Sequence, residues 1–412
     1  VDDRDGIGTT DRPIRWPFFP QPKNPIDEYI PVAAISDLLL NPNGQYEYNG
    51  ETRTYPNIKM VWWAGGNPFH HHQDLNRLRE AFQQPETIIV NEINWTATAR
   101  HADIVLPCTS PLERDDIGAG TQDRAVIPMR QVLEPVGEAR NEYDIYRELE
   151  RRLKLGDAFS EGRTSRQWLD KMWQELEQAA ARTSRKIPDF DGFLDGDIIS
   201  FDDPDANGVF LAAFRQDPTA NPLPTPSGKI ELYSERIASF DYDDCPGHAT
   251  WLPPVEWLGA ADAAPYSLHL ISGQPLTRLH SQLDNGKFSR SYKVKDREPI
   301  LINPSDAARR HIKDGDVVNV FNARGRCLAG AVLTEDVRPG VVFLWTGAWY
   351  DPDFSRSDRC DRHGNPNVLT HDRRTSRLSQ GPAAHSALVE IQKFDGVPPP
   401  VEAFEPPLAP AT

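Results

Sequence analysis

The sequence predicts an α/β protein: a doubly wound parallel-sheet domain followed by a compact β-barrel. Three observations predict it. The apolar run Lys59–Ala64 passes at once into Gly65-Gly66-Asn67-Pro68 and then a helical stretch, the strand–turn–helix order of parallel sheets. Two further runs rich in β-branched and apolar residues, Thr87–Val90 and Asp103–Leu106, supply more buried strands. From Tyr266 onward the pattern changes to short apolar runs between Gly, Asp and Pro turns, with one short helix, which suits a small barrel.

Taken in order, residues 1–58 are rich in Pro and Asn and read as a connecting segment, with Ile30–Leu40 as a short helix. The doubly wound domain is expected over residues 59–180. Its first helix is Gln73–Phe82, where Leu75, Leu78 and Phe82 recur at helical spacing. Glu142–Leu155 gives an amphipathic helix closed by Gly156, and Trp168–Ala181 another. Residues 181–264 read as a loop-rich crossing. The barrel is expected over 265–395, with strands at Ser267–Ile271, Pro299–Ile302, Val317–Phe321, Cys327–Leu333, Val341–Leu344 and Ala387–Ile391. Asn303 caps the helix Ser305–Arg310, with Pro304 at its first position. Arg324-Gly325 links two strands as a hairpin, and residues 396–412 form a tail.

Composition narrows the function. At 412 residues, 38% hydrophobic and 26% charged, the chain is an ordinary globular protein large enough for two or three domains. Its formal charge of −16 argues against a nucleic-acid or anionic-membrane partner. No apolar run approaches the length of a spanning helix. Cys108, Cys245, Cys327 and Cys360 lie far apart with no Cys-x-x-Cys, so neither a zinc site nor an iron–sulfur cluster held by this chain is expected. The chain starts at Val1 without a signal-like segment, which reads as a piece of a longer polypeptide.

The glycines at 65 and 66 allow positive φ and close approach of a ligand, and a following helix offers free N–H groups to phosphate. An ordinary strand–helix turn remains an equal reading at this point. His70-His71-His72 at a helix start point in different directions, so capping or ligand contact is a better expectation than one shared metal. His101, Asp103, Glu113, Arg114, Asp115 and Asp116 form a polar group around a strand. It reads either as an ion-paired loop or as carboxylates for acid–base work. Arg278–Gln282, His363–Asn367 and Thr375–Gly381 are dense in hydrogen-bond donors and suit either polar loops or a heterocycle carrying phosphates.

Several segments resemble the dimethyl sulfoxide reductase family of molybdenum enzymes, in its S- and N-oxide reductase branch. They are Trp63–Phe69 with His72–Asn76, Thr96–Pro107, Ala139–Asp144, Thr225–Leu232, Tyr242–His248, Arg278–Gln282, His363–Thr370 and Thr375–Gly381. They follow the family's order over nearly the whole chain. The resemblance implies that the barrel is six-stranded and of the double-psi type. It implies molybdopterin guanine dinucleotide as cofactor, two per molybdenum, with the metal held through the pterin dithiolenes. Gly65, Gly66, Asn67, His71, Gln73 and Asp74 would then line one dinucleotide, and Asp144 would accept hydrogen bonds from a guanine. His280, Gln282, Asn367 and Gln380 would contact pterin or phosphate from the barrel. Where the family has Gly, this chain has Arg374, which either alters the local backbone or adds a phosphate-facing charge.

The resemblance further implies a bacterial oxidoreductase of the periplasm or cytoplasm, acting by oxygen-atom transfer on a small S-oxide or N-oxide. Its partners would be the N-terminal half of the same enzyme and an electron donor, a protein or reduced nicotinamide. The metal's side-chain ligand belongs to that N-terminal half, so no catalytic residue and no metal ligand is assigned to this chain. Two other readings stand beside it: a stand-alone pterin-dinucleotide binding module without turnover, and a relative acting on formate or nitrate.

Overall fold

A computed structural model describes residues 28–120, 124–182, 184–201, 211–261 and 265–407, with isolated positions 20, 23, 26 and 263. The chain divides into two compact units, Val1–Asp27 with Pro107–Tyr233, and Glu28–Leu106 with Ser234–Thr412.

The larger unit holds the parallel sheet and the barrel. Met60–Ala64 pairs in parallel with Thr87–Glu92, register Trp63 to Val90, and Ile104–Pro107 completes the sheet. The first of these strands is less buried than its composition suggests: Met60 is exposed and Trp62 and Trp63 are half-buried. Between the first two strands lie a one-turn helix, Pro68–His71, and the helix Leu75–Ala81. Asp74 caps the second helix, its Oδ1 accepting from the Arg77 N–H at 3.2 Å. The helix thus begins two residues later than the Gln73 start that the spacing predicts, with Asp74 outside it as the cap.

The barrel is closed and six-stranded. Around it run Pro299–Ile302, Arg326–Leu333, Val317–Phe321, Ala387–Lys393, Leu268–Ile271 and Val341–Leu344, the last pairing with the first. Two pairings are parallel, Pro299–Ile302 with Arg326–Leu333 and Leu268–Ile271 with Val341–Leu344. The Val317–Phe321 to Arg326–Leu333 hairpin closes through Asn322 N–H to the Gly325 carbonyl at 3.0 Å. Alternate barrel residues, Leu268, Leu270, Ile300, Ile302, Val318, Val320, Val342 and Leu344, are almost wholly buried. They share one hydrophobic core with Phe69, Leu75, Leu78, Ile88 and Val90 of the sheet region. Each such side chain stabilises the fold by roughly 1.5–3 kcal/mol on burial, so barrel and glycine turn fold on one core.

Composition did not foretell the antiparallel hairpin Gln45–Tyr48 with Glu51–Thr54, which lies in the segment read as a connector. It is held by stacked Tyr46 and Tyr55, 4.5 Å between ring centroids.

The other unit contains the helix Glu142–Leu153, capped by Asn141, and the helix Ser165–Arg182. A three-stranded antiparallel sheet of Asp116–Gly118, Ala125–Met129 and Ile199–Ser200 completes it. Its core, with Val126, Leu169, Trp173, Leu176, Phe190, Phe193 and Phe201, is its own. Among the described residues no helix is long and apolar enough to cross a membrane.

Candidate cofactor site

Gly65 and Gly66 both take left-handed backbone, φ 76° and 74°, which glycine adopts without strain. A side chain at Gly65 would meet nothing within 4 Å, and one at Gly66 only the Trp63 indole nitrogen at 3.6 Å. The turn therefore presents bare backbone to open space. The Trp63 Nε1 donor is buried and has no hydrogen-bond partner among the described residues. Asn67 turns inward: its Oδ1 accepts from the Thr98 hydroxyl, which fixes the glycine turn to the segment before the third strand. The helix that follows is only four residues long. What this segment leaves open to a ligand is the glycine turn, not a helix N-terminus.

The three consecutive histidines diverge. His70 is fully buried beside Trp349, 6.0 Å between centroids. Burial lowers its pKa to about 3, so it is neutral at any working pH. His71 is exposed and meets His280 edge-on at 5.1 Å, while buried His72 meets Trp63 at 6.3 Å. Burial and then the neighbouring His280 lower the His71 pKa. Among the described residues no group of His, Cys, Asp and Glu is set to hold a metal ion.

Barrel loops reach this segment from the other side. The Asn367 amide donates to the His70 carbonyl at 2.8 Å and its oxygen accepts from the Thr370 hydroxyl at 3.0 Å. The Asn365 amide donates to the Ala348 carbonyl at 2.8 Å, and Asp74 N–H donates to the Thr370 carbonyl at 3.1 Å. Gln73 is buried, its amide donating to the His71 carbonyl at 2.9 Å. His280 sits at φ 53° in an exposed loop, its Nδ1 3.0 Å from the Gln274 amide. Gln282 is exposed one turn further on.

The structure thus brings Gly65, Gly66, Asn67, His71, Gln73, Asp74, His280 and Asn367 into one neighbourhood. The side chains of Asn67, Gln73, Asp74 and Asn367 are spent on holding it, which leaves the glycine turn and the His71 and His280 rings open.

Gln380 is engaged elsewhere. Its amide donates to the Glu47 carbonyl at 2.8 Å and accepts from Arg374 at 2.9 Å, against the hairpin. Arg374 also donates to the Tyr55 hydroxyl at 2.7 Å and to Asp37 at 3.3 Å. It is not a positive-φ position, so arginine fits the local backbone without strain. Its charge is spent on Asp37, Tyr55 and Gln380.

Asp144 lies in the other unit, in the first turn of Glu142–Leu153. It lines a concavity of about 570 Å³ together with Arg147, Arg151, Lys154 and Ser160.

Two readings from sequence change. Arg278 is not an open donor: it is buried with Asp284, Lys293 and Glu298, at 3.3 Å from Asp284 and 3.1 Å from Glu298. Lys293 closes the quartet at 2.9 and 2.7 Å from the two carboxylates. The polar group near the third strand is not a catalytic pair either. Asp103 accepts from the Ile88 N–H at 2.8 Å. Glu113 forms a capping box with Ser110 and accepts from the Val136 N–H at 2.7 Å. Both carboxylates are committed to backbone.

A family model described as "Molydopterin dinucleotide binding domain" matches residues 268–388, which is the barrel. One described as "Molybdopterin oxidoreductase" matches residues 37–152. Dimethyl sulfoxide/trimethylamine N-oxide reductase of Cereibacter sphaeroides is 46% identical over 382 residues, covering 92% of this chain and 46% of that protein. Trimethylamine-N-oxide reductase of Haemophilus influenzae is 46% identical over 386 residues, with 92% and 46% covered. Biotin sulfoxide reductase of Cereibacter sphaeroides is 45% identical over 402 residues, with 95% and 52% covered. The chain spans about half the length of the curated relatives it matches. Acetylene hydratase from Pelobacter acetylenicus shares the fold, with a TM-score of 0.64 at 18% identity over 82% of this chain and 45% of that one.

The residues present fit a phosphate-bearing group. The Gly65 backbone faces open space, and the buried Trp63 donor has no hydrogen-bond partner among the described residues. The chain carries a molybdopterin oxidoreductase domain and a molybdopterin dinucleotide-binding barrel, and the cofactor these domains indicate is a molybdopterin dinucleotide with molybdenum.

Proposed function

We propose that this chain is the cofactor-clamping portion of a molybdenum enzyme that reduces S-oxides or N-oxides by oxygen-atom transfer. The observation that carries the reading is the bare Gly65-Gly66 backbone, facing open space and braced by barrel loops through Asn367 and His280. The named reductase relatives supply the substrate class. In this reading two molybdopterin guanine dinucleotides serve one metal. Gly65 and Gly66 offer amides to a pyrophosphate, and the His71 and His280 rings present hydrogen-bonding nitrogens at the same rim. Asn67, Gln73, Asp74 and Asn367 act by position, holding the turn and the loop in register. Gln282 extends the barrel rim, and Gln380 braces the hairpin beside it. Bound metal and dithiolene supply the two-electron chemistry; the protein supplies placement and electrostatics.

The remainder of the enzyme supplies the metal's side-chain ligand and the substrate funnel, and an electron donor protein or reduced nicotinamide completes the cycle. The setting is the bacterial periplasm or cytoplasm. By itself this chain is expected to give no oxide-reductase turnover with reduced viologen. The test of the activity is the full-length enzyme assayed with dimethyl sulfoxide, trimethylamine N-oxide and biotin sulfoxide. Reduction of none of the three defeats the reading.

Asp144 is assigned to the guanine. Its carboxylate suits paired N1–H and amino donors, and the concavity it lines mixes Arg147, Arg151 and Lys154 with Glu148, Glu150 and Asp157. Asp144→Ala in the full-length enzyme is expected to cost about 2–3 kcal/mol of cofactor retention with little loss of fold, since the residue is exposed. Guanine and molybdenum content after purification measures it. Unchanged content rules out the guanine assignment.

A further inference from the structure

Arg79 has no role in the site described above, and its setting is unusual. It lies on the helix Leu75–Ala81 and is only 4% exposed. Both terminal guanidinium nitrogens are buried without a hydrogen-bond partner among the described residues. Glu80, next in sequence, is exposed and forms no ion pair with it. Around Arg79 lie the Phe354 ring, 5.7 Å from the guanidinium carbon, Tyr350, and two charges that act on it in opposite senses, Arg359 and the exposed Glu80. A buried guanidinium beside another cation and with no anion hydrogen-bonded to it is destabilising as it stands.

His101 adds a second unsatisfied group nearby, its ring 6.0 Å from that of Tyr350, the residue that also faces Arg79. The His101 ring stacks on Phe69 at 4.1 Å and its Nδ1 donates to the Ala97 carbonyl at 2.7 Å. Its Nε2 is buried and has no partner among the described residues. Burial first, opposed by the Ala97 bond and joined by the nearby Arg79 and Arg100 charges, lowers its pKa to about 4. An occupant must therefore accept from Arg79, and can either donate a hydroxyl to His101 Nε2 or share a proton with it. A hydrogen phosphate does both through one set of oxygens, whereas a carboxylate accepts from Arg79 and pairs with His101 only by sharing a proton with the ring.

We propose that Arg79 and His101 form a binding site for an oxyanion, a phosphate or a carboxylate, beneath Phe354. Phe354 is itself 68% exposed, in a largely exposed turn segment, residues 353–359. Its ring lies over the guanidinium on the solvent side without packing into the core. The guanidinium fork matches two oxygens of either anion. Two sources share this chemistry: a free oxyanion from solution, and an Asp or Glu side chain of the enzyme's remaining polypeptide.

The experiment uses the full-length enzyme. Thermal unfolding is followed while inorganic phosphate replaces chloride at constant ionic strength, for the native protein and for Arg79→Met and Arg79→Lys. A crystal structure grown with phosphate accompanies it. A rise in Tm with phosphate, weakened about tenfold or more in Arg79→Met and largely kept in Arg79→Lys, establishes the free-anion site. No phosphate dependence, with an Asp or Glu oxygen of the remaining polypeptide within hydrogen-bond distance of the Arg79 terminal nitrogens, establishes the protein carboxylate. Water alone on the guanidinium, with no phosphate dependence, overturns the proposal. The crystal structure decides even if Arg79→Met does not fold.

Discussion

Asp284→Ala is expected to destabilise the chain by about 3–5 kcal/mol, because it leaves a buried cation without its partner. Asp284 is completely buried and accepts from the Ser289 hydroxyl at 3.0 Å and the Trp349 N–H at 3.1 Å, besides Lys293 and Arg278. The quartet of Arg278, Lys293, Asp284 and Glu298 balances two positive and two negative charges, and removing one carboxylate leaves an excess positive charge with no water to solvate it. Lys293→Met, which removes a cation and leaves an excess negative charge, should also destabilise. The double substitution Asp284→Ala with Lys293→Met should cost less than the two single losses added. Denaturant unfolding of the four proteins measures this. Additive losses would mean that the quartet is not one unit.

The same carboxylate sets an acid limit. Burial alone would favour the neutral acid, but the Lys293, His363 and Arg278 neighbours outweigh it and hold the Asp284 carboxyl well below the usual range. Because the folded pKa is depressed, its contribution is present above the unfolded value of about 3.9 and is lost as pH falls toward the folded value. Stability should therefore fall below about pH 4, and the Asp284→Ala protein should lack that part of the fall.

Gly65→Val is expected to empty the enzyme of cofactor while leaving it folded. A β-branched residue at φ 76° is strained, which costs on the order of 1–3 kcal/mol. The exposed turn can absorb that strain, since nothing lies within 4 Å of the new side chain. What cannot be absorbed is the loss of close approach to the backbone amides. Molybdenum and guanine content should drop at least about tenfold, as the loss of one to two charge-assisted hydrogen bonds predicts, with the cooperative unfolding transition preserved. Normal cofactor content in a folded Gly65→Val enzyme would show that the turn is an ordinary strand–helix connection.

Much of this was legible in residue order. Met60–Ala64 with its glycine turn, the Asn303-Pro304 cap and five barrel strands lie within a residue of their predicted bounds, because each is a local pattern of periodicity and turn chemistry. The sixth, Ala387–Lys393, runs two residues further than the apolar pattern. The hairpin at Gln45–Thr54 escaped notice because its strands are short, polar and half-exposed, and its stability rests on Tyr46 packing against Tyr55. Arg278 read as an open donor because sequence does not report burial; its partners Asp284, Lys293 and Glu298 are close in sequence but gave no motif. The start of the helix at Leu75 rather than Gln73 was hidden for a similar reason. Its cause is a long-range bond, Asp74 N–H to the Thr370 carbonyl. Arg79 gave no signal, and His101 read only as one of a polar group beside a strand, since an unpaired buried nitrogen is a property of packing alone.

The most direct test of the cofactor clamp is a crystal structure of the molybdenum-loaded full-length enzyme. The account predicts phosphate oxygens of one dinucleotide within hydrogen-bond distance of the Gly65 and Gly66 amides, with His71 and His280 at its rim and Asp144 on a guanine. A bound dinucleotide that leaves the Gly65 and Gly66 amides to solvent would contradict it.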